Sequence, residues 1–286
     1  MSPRTNETSI LSVDVEDWFH ILESAAAPSP AAWASQPSLV ERNFRALLDL
    51  FSEFDAKATC FFLGWVAERF PWLVREARER GHEIASHGYS HTLCYEMTPA
   101  EFLADIIRAK KIIEDAGGTR VLGYRAPGFS VTEKTPWFFD KLAEAGFTYD
   151  SSVFPAPRQH GGLPTSPLAP FSVETAMGTI MEIPVTVTKV LGRSLCFFGG
   201  GYLRLFPYMA IRGMTLRVLR EERPVIFYVH PREIDPNHPR LRMNPLRRLK
   251  SYIGLSTTEG KLRSLLSEFS VTTFQDYLLR NSSLLR

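Results

Sequence analysis

The sequence predicts a single α/β domain in which a mostly parallel sheet closes into a distorted, seven-stranded barrel. Three observations lead there. Short β-rich runs alternate with amphipathic helical segments along the 286 residues, and such alternation builds parallel sheets covered by helices. The polar residues that end these runs gather at one side of the sheet, where a closed parallel barrel collects its reactive groups. The composition, 44% hydrophobic and 22% charged, supplies a sizeable core for one domain of this length.

The predicted strands are Ile10–Val15, Ala58–Leu63, Glu83–Ser86, Val121–Tyr124, Phe147–Tyr149, Ile180–Val185 and Val225–Val229. Between them, Leu39–Phe54 places Val40, Phe44, Leu47, Leu48 and Phe51 at helical spacing, with Ser38 as N-cap. Thr98–Ala116 opens with Thr98-Pro99-Ala100-Glu101, a capping-box spacing with proline at the first helical position, and stops at Gly117-Gly118. Thr132–Ala145 and Phe206–Arg223 also read as helices. Two stretches break the alternation. Glu23–Pro37 is rich in Ala, Pro and Ser, and Pro155–Pro170 is rich in Pro and Gly, so both are expected to be long functional or mobile loops. The domain is expected to occupy residues 10–280, between tails at 1–9 and 281–286.

Charge and cysteine content exclude several classes. A net charge of +2 is too small for a counterion-driven nucleic-acid binder. Three cysteines, Cys60, Cys94 and Cys196, cannot all pair and are expected to be free, which fits a reducing compartment. The polar stretch Met1–Ser9 offers no apolar signal core, and the apolar run Ala58–Ala67 is broken by Gly64 and is too short to span a bilayer. The expectation is a cytoplasmic protein without membrane insertion. The basic stretch Arg240–Lys250 reads as a solvated surface first, and as a patch for an anionic substrate or a membrane surface second.

The predicted strand ends carry the chemistry. The first ends in Asp14-Val15-Glu16-Asp17-Trp18, the third runs into His87-Gly88-Tyr89-Ser90-His91, and the fourth ends in Arg125-Ala126-Pro127. The fifth ends in Asp150 and the seventh in His230-Pro231. His87 and His91 are four residues apart, and on a helical turn that spacing puts both imidazoles on one face, close enough to share a cation. Acidic residues ending an apolar strand are costly unless paired or coordinated. Two histidines and one carboxylate would leave positions open for water and substrate, the arrangement of a catalytic site. His82 precedes a strand at the opposite end and reads as structural, whereas His20, His160 and His238 receive no role. Gly199-Gly200-Gly201 reads as a flexible turn, with Tyr202 and Arg204 as candidates to line a substrate groove. No Gly-x-Ser-x-Gly elbow is present, and no cysteine has an evident basic partner, which disfavours covalent catalysis.

These motifs resemble those of the NodB-type polysaccharide deacetylases, carbohydrate esterase family 4, and do so in the family's order from Ile10 to about Asp276. Ser12–Trp18 resembles the family's Thr-Phe-Asp-Asp-Gly motif, Ala58–Phe62 its second strand, and His87–His91 its His-Ser/Thr-x-x-His metal motif. Arg125-Ala126-Pro127-Gly128-Phe129 resembles Arg-x-Pro-Tyr-Gly, Tyr149–Ser152 the aspartate motif, and Tyr228-Val229-His230 the final Leu-x-His. The Asp-Val-Glu-Asp-Trp opening, the loop after it and His230-Pro231-Arg232-Glu233 look most like the subgroup encoded with exopolysaccharide and exosortase loci.

The resemblance implies a NodB-type (β/α)7 barrel that removes N-acetyl groups from an amino-sugar glycan, in association with polysaccharide-synthesis proteins. It implies a divalent cation, zinc before cobalt, nickel or manganese, held by Asp17, His87 and His91. Where the family has adjacent aspartates this chain inserts a residue, so the carboxylate ligand is Asp17 or Glu16. Strand alternation puts Glu16 on the face of Asp14, and carry-over of the motif slightly favours Asp17. Asp14 becomes the general base, paired with Arg125; His230, oriented by Asp150, becomes the general acid; Gly128 offers a backbone donor and Phe129 a wall. Two other readings stand beside this one: a hydrolase of a small or cyclic amide on the same scaffold, and a carbohydrate-binding protein without activity.

Overall fold

The computed structural model describes residues 5–22, 27–158, 161–190 and 192–281. Its strands are β1 (Thr5–Val15), β2 (Thr59–Phe62), β3 (Glu83–Ser86), β4 (Gly123–Tyr124), β5 (Tyr149–Asp150), β6 (Phe171–Thr175), β7 (Gly178–Glu182), β8 (Thr188–Val190), β9 (Arg193–Leu195), β10 (Val225–Val229) and β11 (Phe269–Thr272). Seven of them lie side by side in the order β10-β1-β2-β3-β4-β5-β7, all parallel, and they coincide with the seven predicted runs. The sheet curls into a half-barrel rather than ending flat. β6 adds an antiparallel edge to β7, and β8 and β9 form a separate hairpin.

The ends of the sheet meet without a ladder. Past β7, the Thr186 hydroxyl donates to the carbonyl of Pro224 at 3.1 Å and accepts the N–H of Ile226 at 2.9 Å, so one side chain bridges to the β10 edge. Gly199 completes that edge by pairing with Tyr228. A Cβ at Gly199 would lie 2.1 Å from the Tyr228 ring, so only glycine fits there. Gly200 then takes φ 52° and opens a helix, where a flexible turn was expected.

Alternation along β1 decides what faces what. Leu11, Val13 and Val15 join the large core beneath the helices, whereas Ile10 packs inside the curl with Phe61, Ala85, Tyr149, Met181 and Ile226. The helices are α1 (Val40–Glu53), α2 (Gly64–Arg69), α3 (Pro71–Glu79), α4 (Pro99–Gly117), α5 (Phe138–Glu144), α6 (Gly200–Leu205), α7 (Tyr208–Arg220), α8 (Pro245–Tyr252), α9 (Leu255–Glu268) and α10 (Phe274–Arg280). α1 buries Phe44, Leu47, Leu48 and Phe51 as its periodicity requires, and α4 has the Thr98/Glu101 capping box and Gly118 in the left-handed region. α10 plugs the floor: Phe274 stacks on Tyr149, with centroids 5.6 Å apart, and meets Phe61 edge-on.

Several boundaries differ from the sequence expectation. β1 begins at Thr5, because its first half pairs with β11, which the sequence pattern does not announce. The helix expected over Thr132–Ala145 starts only at Phe138, since Thr132 and Thr135 bond each other's backbone in a turn before Pro136. Pro207 delays the next to Tyr208. The loop over Glu23–Pro37 contains a short helical turn, Pro30–Ser35, anchored by buried Trp33; its residues 23–26, residues 159–160 of the second loop, His160 among them, and residues 1–4 and 282–286 of the tails lie outside the described residues.

His82 sits at the sheet end opposite the polar cluster, where Nδ1 accepts the N–H of Ala58 at 3.2 Å, so the neutral ring is the one that fits. Burial pushes its pKa down to about 4, with Lys57 and Arg80 adding to the effect. A depressed histidine contributes stability that is fully present above its unfolded value near 6.5 and is lost as pH falls through about 4. His82→Asn keeps an acceptor but does not titrate. Its melting temperature is therefore expected to gain on the wild type as pH falls from 6.5 to 4; parallel pH profiles of the two proteins would exclude the linkage.

Candidate active site

Arg125 follows β4 and is wholly buried. Its Nη1 donates to Asp14 Oδ1 at 2.7 Å and to Ser12 Oγ at 2.8 Å, and its Nε and Nη2 reach the carbonyl and hydroxyl of Ser151 at 3.3 Å. The guanidinium lies 4.1 Å from the centroid of Phe61. An ion pair in this setting needs every hydrogen bond satisfied to offset its desolvation, and here the donors are engaged by neighbouring loops. Ser12 and Asp14 are the next inward positions after Ile10, so strand alternation alone delivers them to this place.

Glu16, one further alternation on, meets His87 and His91. Each contributes one ligand atom to a group lying within 4.8 Å of one another, all three residues buried. His87 Nδ1 is 2.8 Å from the Arg125 carbonyl, which fixes the proton on that nitrogen and leaves Nε2 as a lone-pair donor. Burial pushes the His87 pKa down to about 4, against the attraction of Asp14, so the ring is neutral as a ligand must be. Burial disfavours the Glu16 carboxylate, but His91 and His230 overcome it and hold the group well below the usual carboxylate range. Its Oε2 is buried 2.6 Å from His91 Nε2 yet has no hydrogen-bond partner of acceptable geometry. A carboxylate oxygen and two imidazole nitrogens converging in this way form a donor set that fits a divalent metal with open positions.

The two histidines reach each other differently from the helical turn expected. They lie in the loop after β3, with ring centroids 5.4 Å apart, and His91 takes a left-handed φ of 53°. Asp105 of α4 shapes that loop: it accepts the N–H of Tyr89 at 2.8 Å, the N–H of Ser90 at 3.1 Å and the Ser90 hydroxyl at 2.6 Å. Nothing in the sequence singles Asp105 out. It is an ordinary acidic residue on a helix.

Asp17, favoured as the ligand by carry-over, is not in the cluster. Its carboxylate accepts the Ser38 hydroxyl at 2.5 Å and the N–H groups of Trp18, Leu39 and Val40 at 2.8 to 3.4 Å, so it caps α1 from outside the helix. Ser38, expected as the cap, acts through Asp17. The physical reason is alternation: Glu16 shares the inward face of Asp14, and Asp17 points to the helical layer. His20, given no role from sequence, is buried beside His91 at 5.8 Å between centroids, its Nδ1 accepting the Asp17 N–H and its Nε2 unpartnered among the described residues.

The orientation of His230 also differs. Asp150 does not touch it. Asp150 accepts the N–H and hydroxyl of Ser152 at 3.0 and 2.6 Å, and Ser152 accepts the N–H of Ala126, which fixes the turn carrying Gly128 and Phe129. Asp150 faces Glu182 across the β5–β7 register. Burial raises both carboxyls, Asp150 to about 6, and the negative charge of Asp150 lifts Glu182 further. His230 instead has Glu233 beside it, with Nδ1 3.2 Å from Oε2, while Nε2 stands 3.8 Å from Asp14 Oδ2 and 3.7 Å from Glu16 Oε1. Glu233 is held in turn by Arg204 Nε at 2.8 Å. Burial opposes charging of His230, but Glu233, Glu16 and Asp14 outweigh it and raise its pKa. The missed signal is the spacing His230-Pro231-x-Glu233, a capping-box pattern that returns the carboxylate to the histidine.

These groups open into a cavity of about 540 Å³ walled by Gly128, Phe129, Tyr202 and Tyr228, with the Phe129 and Tyr228 rings 5.0 Å apart. Elemental analysis after zinc loading separates the two acidic neighbours. Wild type and Asp17→Asn are expected to hold about one metal equivalent and Glu16→Ala almost none, whereas Asp17→Asn loses about 1–2 kcal/mol of stability through its cap. Metal retained by Glu16→Ala and lost by Asp17→Asn would reverse the assignment.

Residues 34–149 match the profile of the polysaccharide deacetylase family, and residues 151–279 match that of DUF3473, a domain of unknown function. A peptidoglycan deacetylase of Helicobacter pylori is 32% identical over 107 residues, 37% of this chain and 36% of its own length. A peptidoglycan-N-acetylglucosamine deacetylase of Bacillus cereus is 31% identical over 101 residues, 35% of this chain and 46% of its own. The chain thus matches less than half the length of either relative. Among solved structures, a protein described as a polysaccharide deacetylase of Mycobacterium smegmatis superposes with a TM-score of 0.63 at 19% identity, covering 96% of this chain and 90% of that one. PuuE allantoinase gives 0.59 at 20% identity, covering 94% and 88%, so the fold is shared with it too. The chain is thus similar to the polysaccharide deacetylase family over residues 34–149 and to DUF3473 over residues 151–279, on an α/β fold shared with the superposed structures.

Proposed function

We propose that this chain is a metal-dependent hydrolase that removes N-acetyl groups from an amino-sugar glycan. One observation carries it: Glu16, His87 and His91 converge beside a carboxylate, Asp14, and a histidine of raised pKa, His230, inside one cavity. Direct attack of water on an amide needs a base for the water and an acid for the amine, and a binding protein needs neither. A divalent cation, zinc on this donor set, would polarise the acetyl carbonyl and acidify water when bound by Glu16, His87 and His91.

The chain's own residues supply the rest. Asp14, positioned by Arg125 and Ser12, takes a proton as the water oxygen bonds to the carbonyl carbon. The backbone at Gly128 faces the developing oxyanion, and Phe129 and Tyr228 wall the sugar. His230, charged and held by Glu233, gives its proton to the nitrogen as the C–N bond breaks, leaving acetate and a free amine. The match of residues 34–149 supports a glycan over a small amide, although the allantoinase fold keeps a cyclic amide as the second reading. The motifs around Asp14 and His230 support a place in exopolysaccharide or envelope glycan synthesis.

Acetate release from N-acetylglucosamine tetramers by zinc-loaded protein tests this, with allantoin as the comparison. His230→Ala is expected to lower kcat by about 10²–10⁴. Glu233 raises the His230 pKa, so Glu233→Gln is expected to move the alkaline limb of the kcat profile to lower pH. Activity on allantoin alone would favour the second reading; an unmoved limb would leave Glu233 a structural residue.

A further inference from the structure

The cavity changes chemistry with depth. Its floor is carboxylate and imidazole: Asp14, Glu16, His87 and His91, all buried. Two half-buried arginines, Arg158 and Arg232, also line the cavity. Nη1 of Arg158 and both Nε and Nη1 of Arg232 are shielded from solvent without a hydrogen-bond partner among the described residues. The mouth is aliphatic. Leu205, Leu246 and Leu249 line it while remaining 52%, 63% and 58% exposed.

Shielded guanidinium donors without acceptors are costly, and the acidic side chains of the cavity are already engaged. Asp14 holds Arg125, Glu16 contacts His91, and Glu233 holds Arg204 and His230. Among the described residues no acidic side chain accepts from these three nitrogens, so a ligand with anionic oxygens would satisfy them. A neutral glycan brings none. The surroundings add positive charge: between Asp235 and Glu259 no acidic residue occurs, while Arg240, Arg242, Arg247, Arg248 and Lys250 do.

The leucines are fixed relative to the site. Arg204, beside Leu205, donates to the carbonyls of Ser251 at 2.8 Å and Ile253 at 3.1 Å, which ties the end of α8 to Glu233 and His230. Arg247 of α8 donates to the carbonyl of Leu22 and ties the other side of the mouth to the segment after β1. An aliphatic rim held rigidly in one cavity with two guanidinium groups and a hydrolytic floor suits a ligand with the same three zones.

Resting on the function proposed above, we propose that the substrate is amphiphilic: an N-acetylated amino sugar joined through a phosphodiester or pyrophosphate to an aliphatic chain. The sugar occupies the floor, and phosphoryl oxygens accept from Arg158 and Arg232, whose planar forks suit such oxygens. The aliphatic chain leaves across Leu205, Leu246 and Leu249. A uronic-acid glycan would satisfy the arginines but leave the leucines in water.

Calorimetry and acetate release on the zinc-loaded full chain test this with four probes: decyl N-acetylglucosaminyl phosphodiester, decyl N-acetylglucosaminide, N-acetylglucosamine 1-phosphate and decyl phosphate. The complete probe is expected to bind at least about tenfold more tightly than any of the three partial ones. Arg158→Gln/Arg232→Gln should remove the advantage of the phosphoryl group, and Leu246→Ser/Leu249→Ser that of the chain. Arg158→Lys/Arg232→Lys, which keeps charge and loses the forks, should fall between if the first double variant folds poorly. Equal binding of all probes, or decyl phosphate binding as tightly as the complete probe, would overturn the proposal, as would binding to phosphatidylglycerol vesicles alone. Acetate released only from N-acetylglucosamine tetramers would overturn it while sparing the deacetylase reading. Tight binding of the complete probe without acetate release would do the reverse.

Discussion

One guanidinium, that of Arg125, holds the polar end of the sheet together. It bonds Ser12 and Asp14 on β1, lies over Phe61 of β2 and reaches Ser151 beyond β5, while its own carbonyl fixes the tautomer of His87. A fully buried charge is tolerated only with such complete pairing, and truncating one partner of a buried pair typically costs about 3–5 kcal/mol. Asp14, His87 and the turn carrying Gly128 therefore share one anchor. Asp150 completes it from behind through Ser152 and Ala126.

Much of the frame can be read directly from residues. Seven parallel strands need continuous apolar runs because both faces are covered, and those runs stand out in the sequence. Alternation along β1 places Ile10, Ser12, Asp14 and Glu16 inward, which is sufficient to prefer Glu16 to Asp17. Motif likeness pulls the other way, since it aligns letters and not faces. Asp105 and Glu233 are hidden for a different reason: each acts on a loop distant from its own element or through a local turn, and such contacts have no period. β11 is invisible because four residues of strand pairing with the first half of β1 resemble the end of the preceding helix.

The site is divided along the chain. Asp14 and Glu16 precede the segment that matches the polysaccharide deacetylase family, His87, His91 and Arg125 lie within it, and His230, Glu233 and Arg204 lie in the DUF3473 domain. Asp14 and Glu16 on one side and His230 and Glu233 on the other are thus supplied by different stretches of sequence, brought together by the parallel pairing of β1 with β10 and β11. The stretch that matches DUF3473 also contains α6 and α8, so His230 and the rim of the cavity come from the same part of the chain.

The seam at Thr186 divides the barrel into a stiff arc and a soft one. Val13 and Val229 are paired in the β1–β10 ladder, and Asp14 and His230 follow them immediately, so the spacing of these two residues is set by backbone rungs. On the other side of β10 the barrel is closed by a hydroxyl and a single glycine pairing. Thermal expansion or the entry of a bulky ligand will be taken up there first. The cavity wall at Gly199 and Tyr228 can then yield by fractions of an ångström while the backbone rungs beside Asp14 and His230 hold their spacing.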